Sequence, residues 1–273
     1  MTAKALFLDL DGTLLNDDRQ ITPGNRAAIE KALAAGHKVI ITSGRPLVAT
    51  VPLSDALGLN KPGCYVIAYN GCVFYDSYRR ETIFRSVLPL PLVCELFAEA
   101  NRRGIHIQTY DEEKVLVEPR CAGSAVTRYC GPTRMEWDII PDIRTLTREP
   151  EKILVIDFND RKPLDDFREH IRENYGDIVD TFYSNAYYME IINKGINKGE
   201  AILRLADLIG IDRKDTIAAG DAENDATMIQ SAHIGAAMAN ASSEVKAIAD
   251  YVTSRDNNHD GIAELIERYI LTD

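Results

Sequence analysis

The 273-residue sequence contains little cysteine, and its five cysteines are widely spaced, with no CxxC pair among them. An odd number of separated thiols does not fit a disulfide scaffold or a zinc ribbon, so we expect reduced cysteines. The sequence also lacks the roughly 18 to 20 uninterrupted apolar residues that a membrane helix needs. Its first residues, MTAKALFLDLDG, show no signal-peptide pattern. These absences predict a cytoplasmic protein that does not bind a membrane.

Positive charge is in short supply, with 31 basic residues against 42 acidic ones and a formal net charge of -11. The sequence contains no long run of lysine and arginine of the kind found in nucleic-acid-binding tails. Binding to DNA or RNA through counterion release is therefore disfavoured, and we expect no nucleic-acid partner. A phosphate-bearing ligand would need a local positive site or a metal ion.

Apolar runs alternate with helical patterns at the two ends of the chain. Residues 4–10, 37–42 and 64–69 are short apolar runs, typical of strands that are buried on both faces. Thr22 followed by Pro23 predicts a helix start, and Gly36 predicts its end. The same alternation returns after Lys198. This order predicts an α/β fold with a Rossmann-like parallel sheet and right-handed crossovers.

The middle of the chain has a different pattern. From about Gly71, apolar and polar residues alternate as in a half-exposed hairpin, and further strand patterns follow around two helical ones. We therefore predict an inserted α+β domain over residues 83–188, within a discontinuous core of residues 1–82 and 189–273. Residues 119–150 give no clear pattern.

Polar residues are concentrated where the predicted core strands end. Ligands of an open parallel sheet bind outside the carboxyl ends of its strands, so these loops are predicted to converge on one site. The four loops are DLDGT at residues 9–13, SGR at 43–45, NG at 70–71 and GDAEND at 220–225.

Asp9 and Asp11 lie two residues apart, so their side chains project to the same side if the strand geometry continues. The pair alone is also consistent with a solvated turn. Asp9, however, lies within an apolar run, where an unpaired carboxylate costs several kcal/mol. A cation is a plausible partner, and Asp221 can add a third oxygen ligand. Mg²⁺ suits this set because it binds few carboxylates and completes its shell with water and phosphate oxygens.

Three other features are ambiguous when each is taken alone. Ser43 and Gly44 can bind an anion at a helix start, or can be an ordinary helix cap. Lys198 by itself is more often a surface charge than a phosphate ligand. The acidic run at 220–225 could likewise be a helix cap. Their order along the chain is what favours a common site.

Taken in order, DLDGT, SGR, Lys198 in NKG and GDAEND resemble the four motifs of the haloacid dehalogenase superfamily. The long insertion after the second motif, the 70–71 loop and the late segment 258–261 are similar to the Cof-type phosphatases with a C2 cap. Ser43 stands where threonine is frequent in the family, which preserves the hydroxyl. In the inserted domain the resemblance is one of position and pattern, without a motif.

The resemblance implies a role for each matched residue. Asp9 would be the nucleophile that forms an aspartyl-phosphate, and Asp11 the general acid and then base. Mg²⁺ would be bound by the Asp9 side chain, the Asp11 backbone carbonyl and Asp221. Asp225 would support Lys198 or a metal-bound water. The groups that would bind the phosphoryl oxygens belong to Leu10, Ser43, Gly44, Lys198 and Asn224.

The inserted domain is expected to act as a cap that selects the substrate, with Arg45, Asn70 and Gly71 touching the leaving group. Arg120, Arg128, Tyr187 and Glu190 of this domain are weaker candidates, and each is more simply a structural residue.

The expected activity is Mg²⁺-dependent hydrolysis of small phosphorylated metabolites, with sugar phosphates as the favoured class. A phosphomutase with the same aspartyl-phosphate and a non-enzymatic phospho-signalling module are the alternatives. The sequence leaves the physiological substrate and the oligomeric state open.

Overall fold

The structure is a computed structural model that describes residues 2–133 and 135–271. The chain forms two compact units, the first running through Phe84 and resuming at Asn197, the second comprising Arg85–Ile196. Among the described residues, none of the helices combines the length and the apolar character needed to cross a bilayer.

The first unit alternates strands and helices. Before the second unit it has β1 (Ala5–Leu8), α1 (Pro23–Ala34), β2 (Lys38–Thr42), α2 (Leu47–Ala56), β3 (Tyr65–Ala68), β4 (Val73–Asp76) and β5 (Glu81–Arg85, at the boundary). The second unit has α3 (Leu90–Arg103), β6 (His106–Tyr110), β7 (Lys114–Val117), α4 (Ser124–Thr133), β8 (Glu136–Ile139), β9 (Ile153–Ile156), α5 (Lys162–Tyr175), β10 (Val179–Asn185) and β11 (Tyr188–Asn193). The first unit then resumes with α6 (Lys198–Leu208), β12 (Thr216–Gly220), α7 (Ala226–Ser231), β13 (Ile234–Ala237), α8 (Ser243–Ala247), β14 (Tyr251–Val252) and α9 (Gly261–Tyr269).

The sheet of the first unit has the strand order β14-β13-β12-β1-β2-β3-β4-β5. The pairs from β14 across to β3 are parallel, and β3 pairs with β4 antiparallel. The chain proceeds from β1 towards β2 on one side and returns to β12 on the other. The strand order therefore reverses between β1 and β12, and such a switch point is where open α/β sheets bind their ligands.

Packing explains why the central strands are almost wholly apolar. Phe7, Ile40 and Ala218 lie in one cluster with Ile202 and Leu205 of α6. Successive strand residues point to opposite faces, and the alternate residues Leu6, Leu8, Val39 and Ile41 are also fully buried. Each such side chain contributes roughly 1.5–3 kcal/mol by leaving water. The predicted α/β fold with a parallel sheet, buried on both faces, is confirmed.

The second unit has its own sheet, in the order β10-β11-β9-β6-β7-β8. Its pairs are antiparallel except β7 with β8. Helix α3 buries Leu92, Leu96 and Phe97 and ends at Gly104, whose φ of 75° is a left-handed cap. The stretch 119–150, without a clear sequence pattern, contains α4 and β8.

The unit boundaries differ from the ones drawn from the sequence, 83 and 188. The second unit starts at Arg85 and extends to Ile196, because β11 pairs with both β10 and β9. Strand pairing of this kind is a long-range property that a local pattern of apolar residues does not show.

Candidate active site

Asp9 directly follows β1 at the switch point of the sheet. Its backbone N–H donates to the Ala219 carbonyl at 3.1 Å, which keeps this residue in register with β12. The chain then turns, with the Leu15 N–H donating to the Leu10 carbonyl at 2.8 Å. The Asp9 side chain is consequently buried among strand ends, where a carboxylate requires positive partners.

Lys198 supplies one such partner from the start of α6. Asn197 caps this helix, and its side-chain oxygen accepts the Glu200 N–H at 2.9 Å. The Lys198 Nζ lies 2.6 Å from Asp9 Oδ1 and 2.6 Å from Asp225 Oδ1. Burial alone would lower the pKa of Lys198, but Asp225 and Asp9 outweigh it and raise the pKa. The lysine is therefore held fully charged between two buried carboxylates.

Asp225 is fixed by backbone donors on its other oxygen. Its Oδ2 accepts the N–H groups of Asp221 at 3.0 Å and Ala222 at 3.1 Å. Gly220 is needed beside it, because a Cβ there would lie 2.3 Å from the Asp225 Cβ. These contacts direct Oδ1 of Asp225 towards Lys198.

Asp221 joins the loop after β12 to the loop after β1. Its Oδ1 accepts a hydrogen bond from the Thr13 hydroxyl at 2.8 Å. Gly12 packs directly against it, since a Cβ at Gly12 would lie 2.5 Å from Asp221 Oδ2. Gly12 also has a φ of 79°, a conformation that side chains with a Cβ rarely adopt. The two acidic loops therefore interlock through Gly12 and Thr13.

The carboxylates of Asp9, Asp221 and Asp225 form a cluster with one ligand oxygen from each within 4.8 Å of the others. Burial, followed by repulsion from Asp225, raises the pKa of Asp9 well above its ordinary value. The same two causes raise the pKa of Asp221 to about 6. When all three carboxylates are ionised beside the single ammonium of Lys198, an excess of two negative charges results, which a divalent cation would balance. Hard oxygen donors of this kind fit such an ion, so these residues could bind a metal.

Asp11 has a different environment from Asp9. Its carboxylate is 55% exposed and pairs with Arg45, whose Nε lies 2.7 Å from Asp11 Oδ2 and whose Nη2 bonds Oδ1. The chain turns at Leu10, so the condition for a same-side projection of Asp9 and Asp11, a strand that continues through both residues, is not met. The carboxylate of Asp11 lies outside the three-carboxylate cluster, and its predicted metal contact, through the backbone carbonyl, stays a prediction.

The predicted phosphate-binding residues after β2 and β12 meet at Asn70, after β3. The Asn70 N–H donates to the Ser43 carbonyl at 3.0 Å, and the Asn70 side-chain oxygen accepts from Asn224 Nδ2 at 3.1 Å. A Cβ at Gly44 would lie 3.0 Å from the Asn70 amide. The structure therefore brings Ser43, Gly44, Asn70 and Asn224 together.

The loop that contains Asn70 has an unusual backbone. Asn70 has a φ of 56° and Gly71 a φ of 112°. At Gly71 a Cβ would lie 2.9 Å from the Asn197 carbonyl oxygen, so this glycine permits a close approach to the start of α6. Strained residues of this kind are frequent at functional sites.

The weaker candidates of the second unit have partners within that unit. Glu190 Oε2 lies 3.0 Å from Lys152 Nζ, and both side chains are buried. Arg120 Nε donates to Asn101 Oδ1 at 2.9 Å. The Arg128 guanidinium lies 3.8 Å from the centre of the Phe158 ring, and 5.7 Å from that of Tyr187. These contacts give each residue a structural explanation.

Two asparagines contact the loop after β1 and are missing from the sequence prediction. Asn240 donates from Nδ2 to the Gly12 carbonyl at 2.7 Å, and Asn257 donates from Nδ2 to the Leu15 carbonyl at 3.1 Å. A signal for Asn240 exists in the sequence, because it follows the strand pattern HIGAAM. Asn257 lies in a loop with no such pattern.

Many α/β enzymes have their active site at the switch point of an open parallel sheet, and the buried charged cluster of this chain lies at that position. The sequence model of the haloacid dehalogenase-like hydrolases matches residues 6–266. The chain therefore belongs to this family of hydrolases.

Individual relatives agree along their whole length. M6_Spy0533 of Streptococcus pyogenes, named for an expected phosphatase activity, is 31% identical over 271 residues, which cover 99% of this chain and 100% of the relative. The pyridoxal phosphate phosphatase YbhA of Escherichia coli is 27% identical, covering 99% and 100%. A haloacid dehalogenase-like hydrolase from Bacteroides thetaiotaomicron has a solved structure with a TM-score of 0.89 and 32% identity, covering 98% of this chain and 99% of that chain. The chain is a phosphatase of this family.

Proposed function

We propose that this phosphatase is Mg²⁺-dependent and hydrolyses small phosphorylated metabolites, with sugar phosphates as the favoured class, through an aspartyl-phosphate on Asp9. One observation carries the proposal. Asp9 lies at the switch point with the Lys198 ammonium 2.6 Å away, inside a cluster of carboxylates that could bind a divalent cation.

In the first step, a carboxylate oxygen of Asp9 attacks phosphorus while the bond from phosphorus to the ester oxygen breaks. The product is a phosphoryl group on Asp9 and an alcohol. Water then attacks the same phosphorus and releases inorganic phosphate, which returns Asp9 to its carboxylate form. Covalent catalysis of this kind divides one difficult displacement into two easier ones.

Asp11 is the proposed proton carrier for both steps. It donates a proton to the departing ester oxygen, and later accepts one from the attacking water. Arg45 holds the Asp11 carboxylate by two hydrogen bonds. Proton transfer therefore requires Asp11 to exchange this partner for the leaving oxygen.

The phosphoryl charge needs positive groups and hydrogen-bond donors around it. Lys198 and Asn224, the Ser43 hydroxyl, and the backbone N–H groups of Leu10 and Gly44 are the proposed donors. Mg²⁺, bound by Asp9, Asp221 and the Asp11 carbonyl, would neutralise the developing charge. Positioning and charge stabilisation account for most of the catalysis in phosphoryl transfer.

The substrate class rests on similarity. The Escherichia coli relative acts on pyridoxal phosphate, a small phosphate ester, and the similarity to this family favours small metabolites over macromolecules. The role of the second unit in selecting the substrate, and that of Arg45, Asn70 and Gly71 in contacting it, stay predictions. A cytoplasmic location also stays a prediction.

Phosphate release is the test of the proposed activity. With an aryl phosphate, and with a panel of sugar phosphates and pyridoxal phosphate, we expect turnover in the presence of Mg²⁺. Because the cation would stabilise the charge that develops on the phosphoryl group, a chelator is expected to lower the rate by at least about 100-fold. Added Mg²⁺ should restore it, whereas full activity in chelator would contradict metal dependence.

The same assay separates the alternatives. A phosphomutase would isomerise a sugar phosphate and release little free phosphate. A signalling module would form a phosphoprotein that lasts for minutes without turnover. Either outcome would replace the hydrolytic proposal.

A further inference from the structure

Asn240 contacts the loop that follows β1. Its Nδ2 donates to the Gly12 carbonyl at 2.7 Å. Gly12 packs against the Asp221 carboxylate, and the next residue, Thr13, donates its hydroxyl to Asp221 Oδ1 at 2.8 Å. The Asn240 amide therefore fixes Gly12 and, next to it, Thr13, the two residues that contact the Asp221 carboxylate.

Asn257 orients the Asn240 amide. The Asn257 N–H donates to Asn240 Oδ1 at 3.2 Å, which leaves the Nδ2 group directed at Gly12. The side chain of Asn257 is buried and donates to the Leu15 carbonyl and to Asp17 Oδ1, each at 3.1 Å. Two linked amides therefore bind two carbonyls of the same loop.

The chain around Asn240 also contacts the other acidic loop. Met238 donates its N–H to the Gly220 carbonyl at 3.1 Å, and Ser242 donates to the Asp221 carbonyl at 3.3 Å. The segment 238–242 consequently touches Asp221 through its backbone and Gly12 through the Asn240 side chain. A movement of this segment would change the spacing of the two acidic loops.

The loop that carries Asn257 is itself well anchored. Glu264 of α9 accepts the N–H groups of Ser254 at 2.8 Å and Arg255 at 3.1 Å. Asp260 accepts the Asn25 N–H at 3.1 Å, which joins the loop to α1. Hydrogen bonds to α9 and α1 of the first unit therefore hold the loop that carries Asn257.

We infer that Asn240, oriented by Asn257, is a positioning residue for the divalent cation. It acts through Gly12 and Thr13, which set the place of the Asp221 carboxylate. This inference rests on the proposed function in taking Mg²⁺ as the cation. Groups that orient metal ligands typically change metal affinity or activity by 10- to 100-fold when they are removed.

The test compares Asn240→Ala with a matched variant, Asn258→Ala. Asn258 is another asparagine of the anchored loop. Its side-chain oxygen accepts the Asp17 N–H at 3.1 Å and its Nδ2 donates to Asn257 Oδ1 at 3.4 Å, so these bonds involve neither Gly12 nor Asp221 and leave the Asn257 N–H free to orient Asn240. Mg²⁺ binding to each protein is measured by calorimetry without substrate. The thermal midpoint of the metal-free protein and phosphate release are measured in parallel.

For Asn240→Ala we expect the Mg²⁺ dissociation constant to rise about 10-fold. Because Asn240 is exposed, the metal-free midpoint should fall by no more than about 2 °C. Asn258→Ala should bind Mg²⁺ within about twofold of the wild type.

Three results would overturn the inference. They are unchanged Mg²⁺ affinity in Asn240→Ala, an equal loss in Asn258→Ala, and a wild type that binds no Mg²⁺. A lower midpoint with unchanged affinity would assign Asn240 a purely structural role. Weakened Mg²⁺ binding in Asn240→Ala, with no phosphate released even by the wild type, would support the inference and refute the proposed function.

Discussion

Asp9→Asn is expected to lower phosphate-ester turnover by at least about 10⁴-fold, because an amide oxygen cannot replace the carboxylate that attacks phosphorus. The substitution is nearly isosteric and leaves the backbone bond from Asp9 to Ala219 unaffected. Steady-state phosphate release from an aryl phosphate measures the effect.

The same variant should fold normally. Burial and Asp225 raise the pKa of Asp9, so the ionised Asp9 carboxylate is costly, and Lys198 keeps Asp225 as a partner at 2.6 Å. We therefore expect the free energy of unfolding to change by no more than about 1 kcal/mol. Asp18→Asn, at an exposed position of the following loop, is the matched control and should retain full activity. Substantial turnover by Asp9→Asn would remove Asp9 as the nucleophile.

Lys198→Met is expected to affect both stability and activity. The substitution keeps a long side chain but leaves the Asp9 and Asp225 carboxylates facing each other without their shared cation. Loss of one partner from a buried ion pair costs about 3 kcal/mol or more. Turnover should fall at least about 10³-fold, because the phosphoryl charge loses a positive group. Chemical denaturation and phosphate release measure the two effects.

Two further variants separate the causes. Lys194→Met removes an exposed lysine that pairs with Asp180 at 2.8 Å, and it should cost less than about 1 kcal/mol. The double variant Lys198→Met with Asp225→Asn should regain part of the stability, because one uncompensated charge is removed, and none of the activity. A Lys198→Met variant as stable as the wild type would contradict the role given to the Lys198 ion pairs.

The place of the site could be predicted from the sequence because parallel strands direct their carboxyl ends to one edge. Residues 9–13, 43–45, 70–71 and 220–225 follow four different strands, and the sheet brings their polar side chains together. The order of the motifs along the sequence favours Lys198 as part of the same site, and the structure places its ammonium between Asp9 and Asp225. The catalytic roles of these residues stay predictions.

Side-chain pairing within the loops could not be predicted in the same way. Asp11 pairs with Arg45, a partner that comes from the loop after β2. The contact of Asn240 with Gly12 joins residues more than two hundred positions apart. Local sequence patterns contain no signal for such contacts, which depend on loop geometry and on long, flexible side chains.

Some details of the fold could not be predicted from the sequence, because they too depend on tertiary contacts. Strand β14 has only two residues, Tyr251–Val252, which is too short for an alternating pattern. The boundary drawn at residue 188 falls at the start of strand β11, which pairs with β9 and β10 of the second unit. Tertiary contacts determine where so short a strand forms and to which unit a strand at a boundary belongs.

The most direct test of the central claim is to find which residue carries the phosphoryl group. The Asp11→Asn variant should form the aspartyl-phosphate but hydrolyse it slowly, because it lacks the base that activates water. After an acid quench with substrate and Mg²⁺, peptide mass spectrometry should find one phosphoryl group on Asp9, and hydroxylamine should remove it. A phosphoryl group on another residue, or its absence under conditions in which the variant consumes substrate, would contradict the account.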